Sequence, residues 1–175
     1  MGYREGNELF VKDSNQKSCI LVIIADGFEE TETIVFLSLF RQAGLCVKSV
    51  GLTSGLISSA HGVWLMPDLT LTDVDRLIHT MFISVVILPE GRESLARLER
   101  DPRVHRLLRQ VVAQRGQIVT GREGLRVPRA AAVWVGEADK DDDERRMPVL
   151  LREPGQSLEV FAQDLIYRLK QLPRT

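Results

Sequence analysis

Two unbroken apolar runs limit what this chain can fold into. Residues 19–25 read CILVIIA and residues 82–88 read FISVVIL, and neither alternates polar with apolar positions. A strand buried on one face alternates, whereas a strand buried on both faces does not. Both runs fall well short of the roughly 20 residues that span a bilayer. They therefore predict central strands of a parallel sheet with helices packed on each side.

The segments around them fit that architecture. Asp26-Gly27 breaks the first run, and a helix is expected over 30–43. Its first turn carries Glu29, Glu30 and Glu32, which suit the positive end of a helix dipole. Ile34, Val35, Phe36, Leu37, Leu39 and Phe40 leave this helix almost no polar face, so its outer side needs cover from another element or another subunit. Strands are expected over 45–51 and 63–66, a turn at 53–55, and a short helix over 70–79. Asp101-Pro102 is an N-cap followed by proline at the first helical position. From there to about Arg115, Val104, Leu107, Leu108, Val111 and Val112 form one apolar stripe. A strand over 117–120 leads into a tight turn over 121–124. Residues 130–135 read as strand or helix, the acidic run 139–144 as a solvated loop, and 147–151 as a last strand. Ser157 then caps a final helix with Leu158, Phe161, Leu165, Ile166 and Leu169 on its buried stripe.

Strand and helix alternate almost throughout, which predicts a doubly wound parallel sheet in a three-layer αβα sandwich. The 175 residues suit one domain over 18–173, preceded by a polar tail over 1–17 that has no apolar core and is not a signal peptide. A formal net charge of -1 gives no global attraction to nucleic acid or membrane.

In open parallel sheets, ligands bind beyond the carboxyl ends of the strands. Residues 26–32, 89–91 and 121–124 should meet there. The last of these is a glycine-flanked strand–turn–helix corner, the kind that holds a strained residue up to a site. Its tip is Arg122, which stays charged and cannot be a nucleophile.

At this point ADGFEETET (25–33) resembles the first-strand motif of the ThiJ/PfpI superfamily. AGLCVKSVGL (43–52), MPDLTLTDV (66–74), VVILPEG (85–91) and REPGQSLEVFAQDLI (152–166) agree with it in order. The resemblance implies a flavodoxin-like, class I glutamine amidotransferase-like fold and a homodimer. It also implies a site built from three parts. A glutamate at the start of the first helix matches Glu32. A cysteine on the elbow matches Arg122, by aligning GQIVTGREG (116–124). A glycine pair after the central strand matches Glu90-Gly91, and no histidine follows His105. Without the thiolate, the family's protease, deglycase and glyoxalase-type activities lose their mechanism.

The expectation is thus a non-catalytic member that acts by dimerisation or by binding a small anion, in the cytoplasm, with no cofactor and no metal. Glu32, Arg122 and Gly91 form its vestigial site, and Glu90 and Glu123 join them as ligand-binding candidates. Arg122 is expected to pair with Glu32 and plug the pocket, or else to point outward and leave room for a carboxylate or phosphate. The alternative is a hydrolase or lyase for small carbonyl or peptide substrates, with Glu32 as base and Arg122 as electrostatic clamp.

Other features have plainer readings. Cys19 and Cys46 are expected to be buried free thiols, since their spacing suggests neither a metal site nor a disulfide framework. His61, His79 and His105 are scattered. Ser94 and Ser157 have no histidine partner in a triad pattern, and Trp64 and Trp134 are expected in the core. Ten arginines against four acids over 92–129 could mark a phosphate-facing stripe, but a solvated helix face explains them as well. Nucleic acid is therefore not an expected partner.

Overall fold

A computed structural model of the chain describes residues 18–133 and 148–171. The tail over 1–17, Trp134, the acidic run 139–144 and the last two residues of the expected domain lie outside the described residues.

Among the described residues, six parallel strands form one sheet: β1 (Ser18–Ile24), β2 (Val47–Gly51), β5 (Leu69–Thr70), β6 (Phe82–Leu88), β7 (Gln117–Thr120) and β8 (Val149–Leu151). Their order is β5-β2-β1-β6-β7-β8. From β1 the chain winds outward to β2 and β5, and returns to β6 on the other side of β1. A topological switch point therefore lies between β1 and β6, where crossovers leave in opposite directions and open a crevice.

Both faces of β1 are covered, which explains its unbroken apolar sequence. Cys19, Leu21 and Ile23 face one core with Leu95, Leu98, Val104, Leu107, Leu108 and Val111. These come from α3 (Arg92–Arg100) and α4 (Pro102–Ala113), with α2 (Leu71–Leu77) alongside. Ile20, Val22 and Ile24 face a second core with α1 (Glu30–Gln42) and α6 (Leu158–Gln171). The outer apolar side of α1 finds its cover mainly in α6. Phe36 stacks edge-on against Phe161 at 6.4 Å between ring centroids and lies 5.7 Å from Phe40.

The caps match the chemistry of the residues that supply them. Asp101 accepts from the Arg103 N–H at 2.9 Å ahead of Pro102, and Ser157 accepts from the Val160 N–H at 3.4 Å. Thr70 and Asp73 form a reciprocal capping box on α2.

The structure departs from the sequence expectations in several places. Helix α3 was not expected: it is short and highly charged, and only Ser94, Leu95 and Leu98 are buried along it. Residues 63–66 do not join the main sheet. They supply β4 (Trp64–Leu65), which pairs antiparallel with β3 (Ile57–Ser58) in a separate hairpin. Trp64 is not in the core but 63% exposed, because the alternation of this two-strand ladder turns Ile57 and Leu65 inward and Trp64 outward. Ala130 ends a helix, α5 (Arg126–Ala130), instead of opening a new element.

The cysteines are not free. Cys19 and Cys46 form a disulfide with Cα atoms 4.7 Å apart. The register pairs Ile20 with Val47, so the residue before each lies beside the other, at a separation a disulfide spans. Strand pairing made these two cysteines neighbours, and their sequence spacing carried no sign of it.

Candidate functional site

The switch-point crevice is built from the residues that follow β1, β6 and β7. After β1, Glu29 caps α1 by accepting the Glu32 N–H at 2.6 Å, and its carbonyl accepts the Thr33 hydroxyl at 2.8 Å. This fixes the first helical turn and turns Glu32 inward, where it is only 4% exposed.

After β6, the chain must pass very close to the β1–α1 loop. The Glu29 N–H donates to the Glu90 carbonyl at 2.9 Å. Gly91 has φ 126°, and a β-carbon there would collide with the Gly27 carbonyl and sit 2.9 Å from the Glu29 nitrogen. Only glycine serves at this position. Its tight passage brings the Glu90 N–H onto Glu32 Oε2 at 2.6 Å.

After β7, Gly121 lies under the Glu90 side chain, and a β-carbon on Gly121 would occupy the place of the Glu90 carboxylate. The corner is not strained. Arg122 has φ -61° and ψ -41°, ordinary right-handed values, and leads into a 3-10 turn over Glu123–Leu125. Its side chain is exposed and pairs with Glu153 at 3.1 Å. The expected Arg122–Glu32 pair is therefore replaced by another. The cation beside Glu32 is Arg152, with Nε 3.4 Å from Oε1. Strand β8 lies next to β7 in register, and the Arg152 N–H extends that ladder by donating to the Thr120 carbonyl at 2.9 Å. The residue just beyond β8 is thereby delivered to the crevice.

The result is a crowded set of carboxyl groups. Burial, chiefly, holds the Glu32 carboxyl above its ordinary value, against the pull of the Glu90 N–H and Arg152. Burial and then the neighbouring Glu32 and Glu123 push Glu90 from 4.5 to about 7, partly opposed by Arg152 and Arg126. Glu90 thus takes up a proton far more readily than an ordinary carboxyl does. The pair couples two carboxyls electrostatically and includes no thiol.

Of the residues expected at the site, the fold brings together Glu32, Glu90 and Gly91, leaves Glu123 at the exposed rim, and turns Arg122 away. Arg152 carries no local signal of a site role: only the β7–β8 pairing shows that it reaches Glu32. Ser94 is buried on α3, where its hydroxyl accepts the Ala25 N–H at 3.0 Å. Asp26 accepts the Ser58 N–H at 3.0 Å as a turn residue. Among the described residues, no group of His, Cys, Asp and Glu is arranged to hold a metal ion, and no helix is long and apolar enough to cross a membrane. The arginines near α4 have local acceptors: Arg103 binds Asp101 and the Leu52 carbonyl, Arg106 binds Asp75, and Arg109 binds the Ala131 carbonyl.

The fold and this crevice define a flavodoxin-like α/β domain with an acidic switch-point site and no cysteine over residues 121–124. Residues 18–121 match the model of the DJ-1/PfpI family, and the chain belongs to that family. It is 31% identical over 99 residues to the zebrafish (Danio rerio) Parkinson disease protein 7 homolog; the match covers 56% of this chain and about half, 51%, of that relative. Among solved structures it is similar to Drosophila melanogaster DJ-1beta, with TM-score 0.73, 23% identity, and coverage of 91% of this chain and 93% of that one. It is also similar to a DJ-1 superfamily protein from Salmonella typhimurium, with TM-score 0.72, 22% identity, and coverage of 87% and 90%. At these identities the structural likeness speaks to the fold.

Proposed function

We propose that this DJ-1/PfpI domain works without thiol chemistry at its elbow and acts by association with a second copy of itself. One observation carries the first half. The place above Gly121, at the elbow, is filled by the chain's own Glu90 carboxyl, while Arg122 is turned out to Glu153. A small anion is a poor guest for such a pocket, because the Glu90 side chain already fills it and the cation beside it, Arg152, is paired with Glu32. The anion-binding reading is therefore set below association.

Association is supported by an apolar face. Cross-strand register puts Leu56, Trp64 and Met66 on the outer side of the β3–β4 hairpin, at 57%, 63% and 62% exposure. His61, at the hairpin tip, contacts Glu30 at 2.7 Å, and Ile34, 47% exposed, lies one turn further along that face of α1. In a two-fold arrangement this patch would meet its own copy, which needs only that the apolar surface complement itself. Cytoplasmic residence belongs to the same reading, and fractionation of cells carrying the tagged full chain tests it.

A second reading rests on the raised Glu90. A carboxyl poised near neutrality beside Glu32 suits general acid–base chemistry on a small carbonyl compound. A panel of glyoxalase, deglycase and peptidase assays separates the two. The expected result is no turnover above a buffer blank. Turnover that Glu32→Gln or Glu90→Gln abolishes would establish the enzyme instead.

A further inference from the structure

We propose that Cys19–Cys46 is a reversible redox staple, opened and closed by small thiols and disulfides that attack at Cys46. The pair lies at the amino-terminal ends of the strands, across the sheet from the acidic crevice, and takes no part in the site above.

Its two cysteines differ in access. Cys19 is fully buried on β1, whereas Cys46 is exposed in the short connection between α1 and β2. Exchange needs in-line approach to one sulfur, so the reagent meets Cys46 and Cys19 is the leaving group. A small thiolate bonds to Cys46 Sγ, the Cys46–Cys19 bond breaks, and Cys19 leaves with the electron pair and takes a proton. A second small thiolate attacks the small molecule's sulfur in the mixed disulfide and releases Cys46, which is protonated. Two small thiols have then become one small disulfide, and the protein has gained two electrons and two protons. A small disulfide drives the same steps in reverse.

The surrounding structure suits a switchable tie. The β1–β6 register slips between Cys19 and Ile20, leaving Ser84 without a strand partner, and the Ser84 hydroxyl donates to the Cys19 carbonyl at 3.3 Å. Strand β1 is thus less regularly paired at the cysteine than further along. On the other side, the Cys46 carbonyl accepts the Ile20 N–H at 2.8 Å. This bond keeps the two residues adjacent when the sulfurs separate, so re-closure needs no search. A buried free thiol at Cys19 behaves as a small apolar group, so the open form keeps its core. The loop that the disulfide closes, with cysteines 27 residues apart, contains all of α1, including Glu32. Opening it removes a constraint on that crossover.

The full chain, purified without reductant and equilibrated in glutathione buffers from oxidising to reducing, tests this. Maleimide labelling of the denatured protein, read by intact mass, is expected to show no labels at the oxidising end and both thiols labelled together at the reducing end, reversibly. Thermal unfolding of the reduced form should fall by on the order of 5–10 °C. Cys19→Ser should carry one glutathione, on Cys46, in the oxidising buffer. Two labels in protein held with excess oxidised glutathione would overturn the proposal, as would identical melting of the two forms. The wild-type comparison decides the matter even where a cysteine variant fails to fold.

Discussion

Glu90 shows how one side chain can carry the character of a site. Its own N–H stabilises the Glu32 carboxylate, while its carboxyl sits in a partly buried place beside that same group. The native state therefore holds a proton on Glu90 that the unfolded chain releases. With the folded value near 7 and the unfolded value near 4.5, this contribution is complete below pH 4.5 and is lost as pH rises through 7. Glu32, also raised, acts in the same direction. Asp68, Asp73 and Asp101 are held below their ordinary values and act the other way, costing stability only as pH falls into the acid range. Urea unfolding at pH 5, 6, 7 and 8 should show wild type weakening toward pH 8. Glu90→Gln should remove roughly 1 kcal/mol of that decline, a modest figure because the carboxyl is half open to water. The neighbouring Gly91→Ala should cost about 2 kcal/mol or more at every pH, since its β-carbon meets backbone at a positive φ.

At the scale of the element, helix caps and stripes decided most of what could be read from the sequence. Helix α4 was legible because Asp101, Pro102 and a full apolar stripe agree on its start and its buried face. Asp101 also holds Arg103 at 2.6 Å, so Asp101→Ala removes a cap and an ion pair together. We expect it to lower stability by about 1–2 kcal/mol in the same urea assay, with helix content preserved by circular dichroism. Helix α3 was not legible, because three buried positions among charged residues give too weak a periodic signal. Its place is decided by Gly91, which starts it, and by the core into which Leu95 and Leu98 insert. Helix α1 presented a different ambiguity. Its sequence demanded cover on two sides without saying from where, and α6, over a hundred residues later, supplies most of it.

At the scale of the whole molecule, the hairpin packs against the same β1–α1 loop that leads into the carboxyl cluster. The switch point between β1 and β6 gathers the carboxyls, and the α1–hairpin face carries the apolar surface. If that face mediates association, multi-angle light scattering at micromolar concentration should give twice the chain mass, and Trp64→Asp should halve it. Because Trp64 is 63% exposed, the same change should move thermal unfolding little beyond the loss due to dissociation. A monomer in wild type would remove association from the proposed function and leave the elbow reading intact.

The sequence by itself determined the parallel sheet, its two-sided burial, the family and the absence of a thiol at the elbow, since each follows from residue type or local period. Tertiary structure decided the rest: that Arg152 and not Arg122 accompanies Glu32, that Glu90 fills the place above Gly121, and that Cys19 meets Cys46. These are contacts between strand ends far apart in the chain. Their partners are set by strand order and register, which no local pattern of residues encodes.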